Sequence, residues 1–318
     1  MHKRITEDLF RLTLPYLNGE VNSYLLKGER GFTVVDTGFC NEASEQIWNS
    51  AISGGLVIEK VVLTHGHPDH IGLATWFQKK IGVPVIYSRI GYDEMKKRHE
   101  KVLTFQGDEH RLYPFNVMHD GPQIQEKAFY RQFDEVDFEP DDVFEDSQML
   151  ALGNDTYEAL WTPGHSSDHF CFWDGDKKTL LVGDLVLGGI SPVIPFWSKD
   201  DGNPLQDYFD SLDRVGRHPA KLVLPGHGEP LADLHSRISE IKAGHRYRME
   251  QIVNILDEGE KTAGKVSREL YGDDSSVIKR LMEFSTTLSR LVYLETLDKV
   301  QRNHQDGKIY FGNKPSFR

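Results

Sequence analysis

The chain has 318 residues, of which 38% are hydrophobic, and it carries a formal net charge of −12. This length allows one large domain and a small one, and no stretch approaches the roughly 20 apolar residues of a membrane-spanning helix. The first 240 residues hold 23 basic and 38 acidic residues, whereas residues 241–318 hold 14 basic and 11 acidic ones. An acidic body disfavours non-specific binding to a polyanion.

The start of the chain and its cysteines predict a cytoplasmic location. Residues 1–8 include positive charges, but the apolar region of a secretory signal peptide does not follow them. Cys40 and Cys171 are the two cysteines, and they do not form a CxxC pair. We therefore expect no disulfide framework, a reducing cytoplasm and no membrane partner.

The first predicted elements are a β-hairpin and a helix. Two β-rich runs, residues 21–27 and 32–36, flank a four-residue connection that contains two glycines, which is a hairpin signal. Asn41 or Ser44 is predicted to cap a helix that ends at Gly54-Gly55. A short β-branched strand at residues 60–63 follows.

This strand ends in the run Thr64-His65-Gly66-His67-Pro68-Asp69-His70, which holds three imidazoles and a carboxylate. These are zinc-type ligands at a density that is unusual for a loop. Apolar residues after Asp69 have helical spacing, so we expect a helix as far as about Lys80, with Asp69 and His70 in its first turn. His65 and His67 would then point one way from the loop, while Asp69 and His70 approach from the start of the helix. Such a geometry can serve two adjacent metals rather than one.

Residues 88–146, after a strand at 83–87, interrupt the alternation of strands and helices. We expect an insertion that is helical from Tyr92 to Val102 and irregular later, with eight acidic residues and no basic one between positions 133 and 146. Long excursions of this kind are often lids or binding loops. A solvated acidic loop without a function is an equal alternative.

The second half predicts further strands that end in ligand-type residues. The strands are expected at residues 149–152, 157–161, 170–173, 179–182 and 221–224. The loops after three of these strands carry His165, Asp184 and His227. Together with the loop after residues 60–63, four strand ends are therefore followed by ligand-type residues. The tail from about residue 233 has helical spacing, with further helices from Thr262 and from Thr286 to about Val300, and a hairpin arm at residues 307–312.

The pattern His65-x-His67-x-Asp69-His70, with His165, Asp184 and His227 at later strand ends, resembles the metallo-β-lactamase superfamily and its glyoxalase II-like and lactonase-like metal sites. The resemblance implies an α+β fold, an αββα four-layer sandwich, over residues 1–232, with 88–146 as a candidate lid. Residues 233–318 resemble the small C-terminal helical, winged-helix-like domain of one branch, which includes a protein with endoribonuclease activity.

The resemblance also implies a binuclear site. His65, His67 and His165 would hold the first metal, Asp69, His70 and His227 the second, and Asp184 would bridge them. Zinc is the expected metal, with iron and manganese as alternatives. A hydroxide between the two metals would be the nucleophile, and Asp69 would act in catalysis by steering it. Asp36, Thr64 and His169 are candidates for orienting a ligand, although His169 is equally expected to be a packed polar residue.

The resulting functional hypothesis is a dinuclear hydrolase of a small ester-like substrate, such as a thioester, a lactone or a related acyl compound. The alternative is a phosphodiesterase or endoribonuclease whose tail helps to bind nucleic acid, which the pairs Arg246/Arg248 and Lys279/Arg280 favour. A third class is a non-catalytic protein with the tail as a DNA-binding module. The oligomeric state is left open, with a homodimer as one alternative.

Overall fold

A computed structural model of the chain describes residues 2–17, 19–104, 112–123, 136 and 138–315. Two β-sheets lie face to face, and helices cover the outer surface of each. This arrangement confirms the predicted four-layer αββα sandwich. None of the helices in these ranges has the length and apolar character needed to cross a membrane.

The first sheet has the strand order β1-β2-β3-β4-β5-β6-β7. The strands from β1 to β4 are antiparallel, and those from β4 to β7 are parallel. Their bounds are Lys3–Arg4, Leu9–Tyr16, Gly19–Lys27, Phe32–Val35, Ile58–Val62, Val85–Ser88 and Asp142–Phe144. The sequence reasoning missed β1 and β2.

The second sheet has the order β12-β11-β10-β9-β8, in which β11 and β12 are parallel and the other neighbours antiparallel. Its strands are Met149–Leu152, Asp155–Trp161, Phe170–Asp174, Thr179–Gly183 and Leu222–Pro225. Buried side chains from both sheets meet in one apolar layer, which includes Leu26 and Val62 from the first sheet and Phe170, Phe172 and Leu181 from the second. This layer holds the two sheets together.

The helices beside the first sheet differ in part from the prediction. Helix α1 (Glu42–Ser53) begins after Asn41, whose side chain accepts a hydrogen bond from the Ser44 amide, so Asn41 is the cap and Ser44 is not. The helix expected up to Lys80 is broken into α2 (Pro68–Ile71), α3 (Ala74–Trp76) and a π-helical turn at Phe77–Ile81. The break lies at Gly72 and Leu73, and at Gly72 a Cβ atom would lie 2.4 Å from the Pro68 carbonyl oxygen and 2.5 Å from the Cys40 amide nitrogen.

The predicted insertion at 88–146 is more regular than expected. Helix α4 spans Arg89–Thr104, helix α5 spans Leu112–Met118, and strand β7 adds to the edge of the first sheet. The expectation of an irregular later part is therefore wrong for α5 and for β7, which pairs with β6, whereas residues 119–123 and 138–141 have neither helix nor strand. Residues 105–111, 124–135 and 137 lie outside the described residues.

Helix α6 (Pro204–Val215) covers the second sheet, and it was not predicted although Asn203 caps it and Pro204 begins it. The C-terminal unit contains α7 (Leu234–Leu256), β13 (Lys261–Thr262), α8 (Ala263–Tyr271), α9 (Val277–Thr296), β14 (Val300–Gln305) and β15 (Lys308–Asn313). The strands form a sheet in the order β13-β15-β14.

Within this unit the prediction for the third helix was wrong at both ends. Helix α9 begins after Ser276, which caps it by accepting a hydrogen bond from the Lys279 amide, and it ends at Thr296. Val300 already belongs to β14. One apolar cluster runs without a gap from the second sheet through α6 into α7 and α9, with members such as Leu160, Leu212, Ile241 and Leu288. The domain boundary after residue 232 and the winged-helix likeness stay predictions.

Candidate metal centre

Three histidines form the first group of ligand-type atoms. His65 and His67 lie in the loop after β5, and His165 lies in the loop after β9. One nitrogen from each of the three lies within 4.8 Å of the others. His65 Nε2 is 3.1 Å from His67 Nδ1. These side chains come from both sheets, so the sandwich brings them together at one edge.

A second group joins Asp69 and His70, in the first turn of α2, with His227, in the loop after β12. One ligand atom from each residue again lies within 4.8 Å of the others. His227 Nε2 is 3.2 Å from Asp69 Oδ2, and His70 Nε2 is 3.6 Å from the same oxygen. The predicted placement of Asp69 and His70 at a helix start is confirmed.

Asp184 lies between the two groups. It follows β11, and its Oδ1 is 3.5 Å from His70 Nε2, while its Oδ2 is 3.4 Å from His165 Nε2 and 3.3 Å from His227 Nε2. Gly226 makes room for this carboxylate, because a Cβ atom at that position would lie 2.2 Å from Asp184 Oδ1. One carboxylate therefore faces nitrogen atoms of both groups.

The metal-free electrostatics separate the imidazoles into two kinds. Burial, as the largest cause, and the nearby His165 imidazole lower the pKa of His67 to about 3. Burial likewise lowers the pKa of His65 well below its usual value. For His70 burial opposes protonation, but the carboxylates of Asp69, Asp184 and Asp36 raise its pKa well above the ordinary range.

Burial and neighbouring charges also have opposite effects on the pKa values of His227 and Asp184. Burial lowers the pKa of His227, but Asp184 and Asp69 raise it to about 10. Burial would raise the pKa of Asp184, but His70 and His227 hold it well below its usual range. In the metal-free protein, protons on His70 and His227 therefore balance the carboxylates.

Several atoms in the cluster are buried without a hydrogen-bond partner, which is the condition that a metal ion would relieve. They are His70 Nε2, His165 Nε2 and Asp184 Oδ1. Buried polar atoms in proteins are almost always paired, and unpaired ones call for an explanation. Imidazole nitrogens and carboxylate oxygens are also the donor set that zinc prefers. The residues present therefore fit divalent metal ions.

Asp36 organises ligands from both groups, and the sequence had indicated it as a candidate. It accepts hydrogen bonds of 2.8 Å from the Thr64 amide, the Thr64 hydroxyl and His70 Nδ1. Because the Thr64 hydroxyl donates to Asp36, its oxygen can accept from His65 Nδ1 at 2.9 Å. Asp36 thus fixes the tautomers of His65 and His70 so that each Nε2 faces the cluster. Its φ of +63° is a conformation that non-glycine residues seldom adopt.

Backbone carbonyls orient two other imidazoles in the same way. His165 Nδ1 donates to the Val193 carbonyl at 2.8 Å, and His227 Nδ1 donates to the Glu20 carbonyl at 2.6 Å. His169 has a different role, because its Nε2 accepts from the Asp184 amide at 3.0 Å while its Nδ1 donates to the Thr162 hydroxyl. It is therefore a packed residue that holds the backbone of Asp184.

Sequence reasoning missed the residues that hold the loop around His227. The side chain of Asn22 donates to the carbonyls of Pro225 and Gly228 at 3.0 and 2.8 Å, and the Tyr24 hydroxyl donates to the Pro225 carbonyl at 2.7 Å. Arg11 donates to the Gly228 carbonyl at 2.7 Å. The available signal was Asn22, a residue type that is depleted in strands, inside the predicted strand 21–27.

Tyr16 was also missed, although it lies beside the cluster. Its ring centroid is 6.5 Å from that of His227 and 5.4 Å from that of Phe39. Burial, Asp69 and Asp184 raise the pKa of the Tyr16 phenol well above its usual value. The hydroxyl is therefore a hydrogen-bond donor at neutral pH.

Comparisons with known proteins agree with this geometry. The sequence profile described as the metallo-beta-lactamase superfamily matches residues 17–227, a range that contains all seven clustered side chains. A probable metallo-hydrolase from Bacillus subtilis (strain 168), YqjP, is 28% identical, and the match covers 96% of this chain and 98% of that protein. An atrochrysone carboxyl ACP thioesterase from Aspergillus novofumigatus is 25% identical over 74% of this chain and 57% of its own length.

Solved structures with the same overall fold include the C-terminal unit. A metallo-beta-lactamase family protein from Thermus thermophilus is 28% identical, with a TM-score of 0.83, over 98% of this chain and 100% of that one. A beta-lactamase domain protein from Burkholderia ambifaria is 23% identical, with a TM-score of 0.86, over 98% of this chain and 93% of that one. The second likeness shows the fold alone.

Proposed function

Since the chain belongs to the metallo-beta-lactamase superfamily and is a metal-dependent hydrolase, we propose that it uses two divalent metal ions to hydrolyse a small ester-like substrate. The substrate would be a thioester, a lactone or a related acyl compound. The observation that carries the proposal is the pair of three-residue ligand groups with Asp184 between them.

Each residue of the cluster has an assigned part in this proposal. His65, His67 and His165 would hold the first ion, and Asp69, His70 and His227 the second. Asp184 would contact both, since its two oxygens face nitrogens of different groups. Zinc suits the donor set best, and iron and manganese accept the same donors.

When bound, the two ions would supply a Lewis acid for the substrate carbonyl and acidify a water molecule to a near-neutral pKa. The chain's own residues would then orient the reaction. Burial raises the pKa of Asp69, but His70 and His227 bring it below the ordinary value, so its carboxylate is ionised and can accept a hydrogen bond from the attacking water. Asp36 would hold His65 and His70 in place throughout.

The surroundings of the cluster favour an acyl substrate. Leu17, which follows Tyr16, is 68% exposed, and Ile190, three residues before the carbonyl that binds His165, is 66% exposed. Leu17 and Ile190 are thus exposed apolar residues close in sequence to groups that contact the cluster, and such side chains suit the apolar part of an acyl compound. One relative is itself named an acyl-carrier-protein thioesterase, and the acidic body disfavours a polyanion.

The test is a paired assay on the zinc-loaded protein at low and moderate salt. One arm offers thioesters and lactones with short and long acyl chains, and the other offers bis(p-nitrophenyl) phosphate and short single-stranded RNA. We expect acyl turnover that changes little with salt and is lost in the variant Asp184→Ala. Turnover of RNA or the phosphodiester without acyl turnover would refute the acyl assignment.

The second candidate, a phosphodiesterase or endoribonuclease, has one observation in its favour. Tyr247 is 59% exposed on α7, beside the exposed Arg246, and an aromatic ring next to a cation can stack on a base and contact phosphate. Cleavage that depended on these residues would weaken strongly with salt. The paired assay therefore separates the two candidates.

A further inference from the structure

The loop at residues 185–198 joins one candidate ligand to the support of another. It follows Asp184 and has neither helix nor strand. Its Val193 carbonyl accepts the hydrogen bond from His165 Nδ1 at 2.8 Å. The position of this carbonyl therefore decides which way the His165 ring turns and which of its nitrogens faces the cluster.

Side chains rather than neighbouring backbone hold this loop. Among the described residues, no hydrogen bond between backbone groups involves residues 186–196. Arg237, in the first turn of α7, donates from Nε to the Leu187 carbonyl at 2.7 Å and from Nη2 to the Ile190 carbonyl at 2.9 Å. The side chain of Arg237 is 16% exposed; its hydrogen bond to the Leu187 carbonyl is partly buried, whereas the one to the Ile190 carbonyl is open to solvent.

The two carbonyls enclose Gly188 and Gly189, which have more backbone freedom than other residues. A guanidinium presents several donors in a rigid plane, so one side chain can fix both carbonyls at once. Ile190 is three residues before Val193, and Ile194, directly after Val193, is buried in the apolar cluster, so the hydrogen bond from Arg237 anchors the other end of the short segment that carries the Val193 carbonyl. The path from α7 to the cluster is thus Arg237, the loop backbone, Val193 and His165.

We infer that Arg237 is a positioning residue for the His65/His67/His165 metal site, and that the C-terminal unit acts on the metal centre through it. This inference rests on the proposed function, since it assigns His165 as a ligand. It gives α7 a role in metal binding although, among the described residues, the unit contributes no side chain to the clustered ligand atoms.

The experiment compares Arg237→Gln and Arg237→Lys with the parent protein. Arg280→Gln is the matched control, because Arg280 also donates to two backbone carbonyls, those of Asp273 and Ser275 at 2.9 and 2.6 Å, in the connection between α8 and α9. Zinc affinity is measured on metal-free protein by competition with a chromophoric chelator. Cleavage of the 185–198 loop by proteinase K is followed on the same metal-free samples by mass spectrometry, and thermal melting checks the fold.

We expect Arg237→Gln to weaken one of the two zinc affinities by about tenfold, at the lower end for a residue behind a ligand, and to speed cleavage of the loop. Arg237→Lys should fall between Arg237→Gln and the parent, because an ammonium can still reach one carbonyl. Arg280→Gln should match the parent in zinc affinity and in loop cleavage.

Unchanged zinc affinity in a folded Arg237→Gln protein would overturn the inference and leave the proposed function standing. An equal loss of affinity in Arg280→Gln would overturn it too, since the effect would then be general destabilisation. A parent protein that binds no zinc would overturn the proposed function and the inference together.

Discussion

Replacing Asp36 by asparagine tests whether one buried carboxylate prepares both metal sites. Asp36 is 3% exposed, and its carboxylate accepts three hydrogen bonds, two from Thr64 and one from His70. An asparagine side chain has a single acceptor oxygen, and its NH2 group faces a donor in either orientation. Either the Thr64 amide loses its acceptor, or the Thr64 hydroxyl and the His70 tautomer must reverse so that His70 Nδ1 becomes an acceptor, and in both cases the charge that strengthens the bonds is removed.

The magnitude follows from these bonds. Leaving a buried donor unpaired costs about 1 to 3 kcal/mol, which we expect as a loss in the free energy of unfolding of the metal-free protein. Variants of residues that orient metal ligands lose about 10- to 100-fold in metal affinity, or about 1.4 to 2.7 kcal/mol of binding free energy. Since Asp36 fixes His70 directly and His65 through Thr64, both zinc affinities should fall.

The assay is a zinc titration of metal-free protein against a chelator, alongside urea unfolding. Asp174→Asn is the matched control, because Asp174 is a buried carboxylate that accepts from the amides of Asp176 and Lys177, both at 2.9 Å, at the end of β10 away from the cluster. This variant should leave zinc affinity unchanged. An Asp36→Asn protein that binds two zinc ions as tightly as its parent would refute the reasoning.

Three further predictions follow from the same contacts. Asp184→Ala should lose at least one bound metal and nearly all activity, and elemental analysis that still found two ions would contradict its bridging position. Metal loading near pH 8 should release protons. Burial lowers the pKa values of His70 and His227, but the carboxylates raise that of His70 well above its usual value and that of His227 to about 10. Calorimetry in buffers of different ionisation enthalpy measures this release, and a binding heat that does not depend on the buffer would contradict it. Burial, with a contribution from Arg290, lowers the pKa of His245 to about 3, so the unfolded chain, with a pKa near 6.5, takes up this proton first as the pH falls. Part of the free energy of unfolding that the parent has above pH 6.5 is then lost as the pH falls towards 3. The free energy of unfolding of His245→Phe, relative to that of the parent, should therefore rise by about 2 kcal/mol from pH 7.5 to pH 5. Equal pH dependence of urea unfolding in the two proteins would contradict the assignment.

The sequence allowed the ligand-type residues to be found because their signals are local. His65, His67, Asp69 and His70 lie within six positions after a short apolar strand, and His165, Asp184 and His227 each follow another. Strand ends that carry ligand-type residues are visible without any knowledge of tertiary contacts. The structure brings all seven together, whereas their individual roles as ligands stay a proposal.

The supporting residues could not be predicted in the same way, because their partners are distant in sequence. Asn22 and Tyr24 hold the carbonyl of Pro225, about 200 positions away, and Arg237 holds Leu187 and Ile190. Nothing in the local pattern links such pairs. Helix α6 is a different case, because its signals are local: Asn203 caps it and Pro204 begins it, so the helix was predictable from the sequence.

The most direct test of the account is an anomalous-diffraction measurement at the zinc edge on crystals of the zinc-loaded protein. The account predicts two peaks, one among His65, His67 and His165 and one among Asp69, His70 and His227, with Asp184 between them. A single peak, or peaks away from these side chains, would contradict the binuclear centre on which the proposed hydrolysis depends.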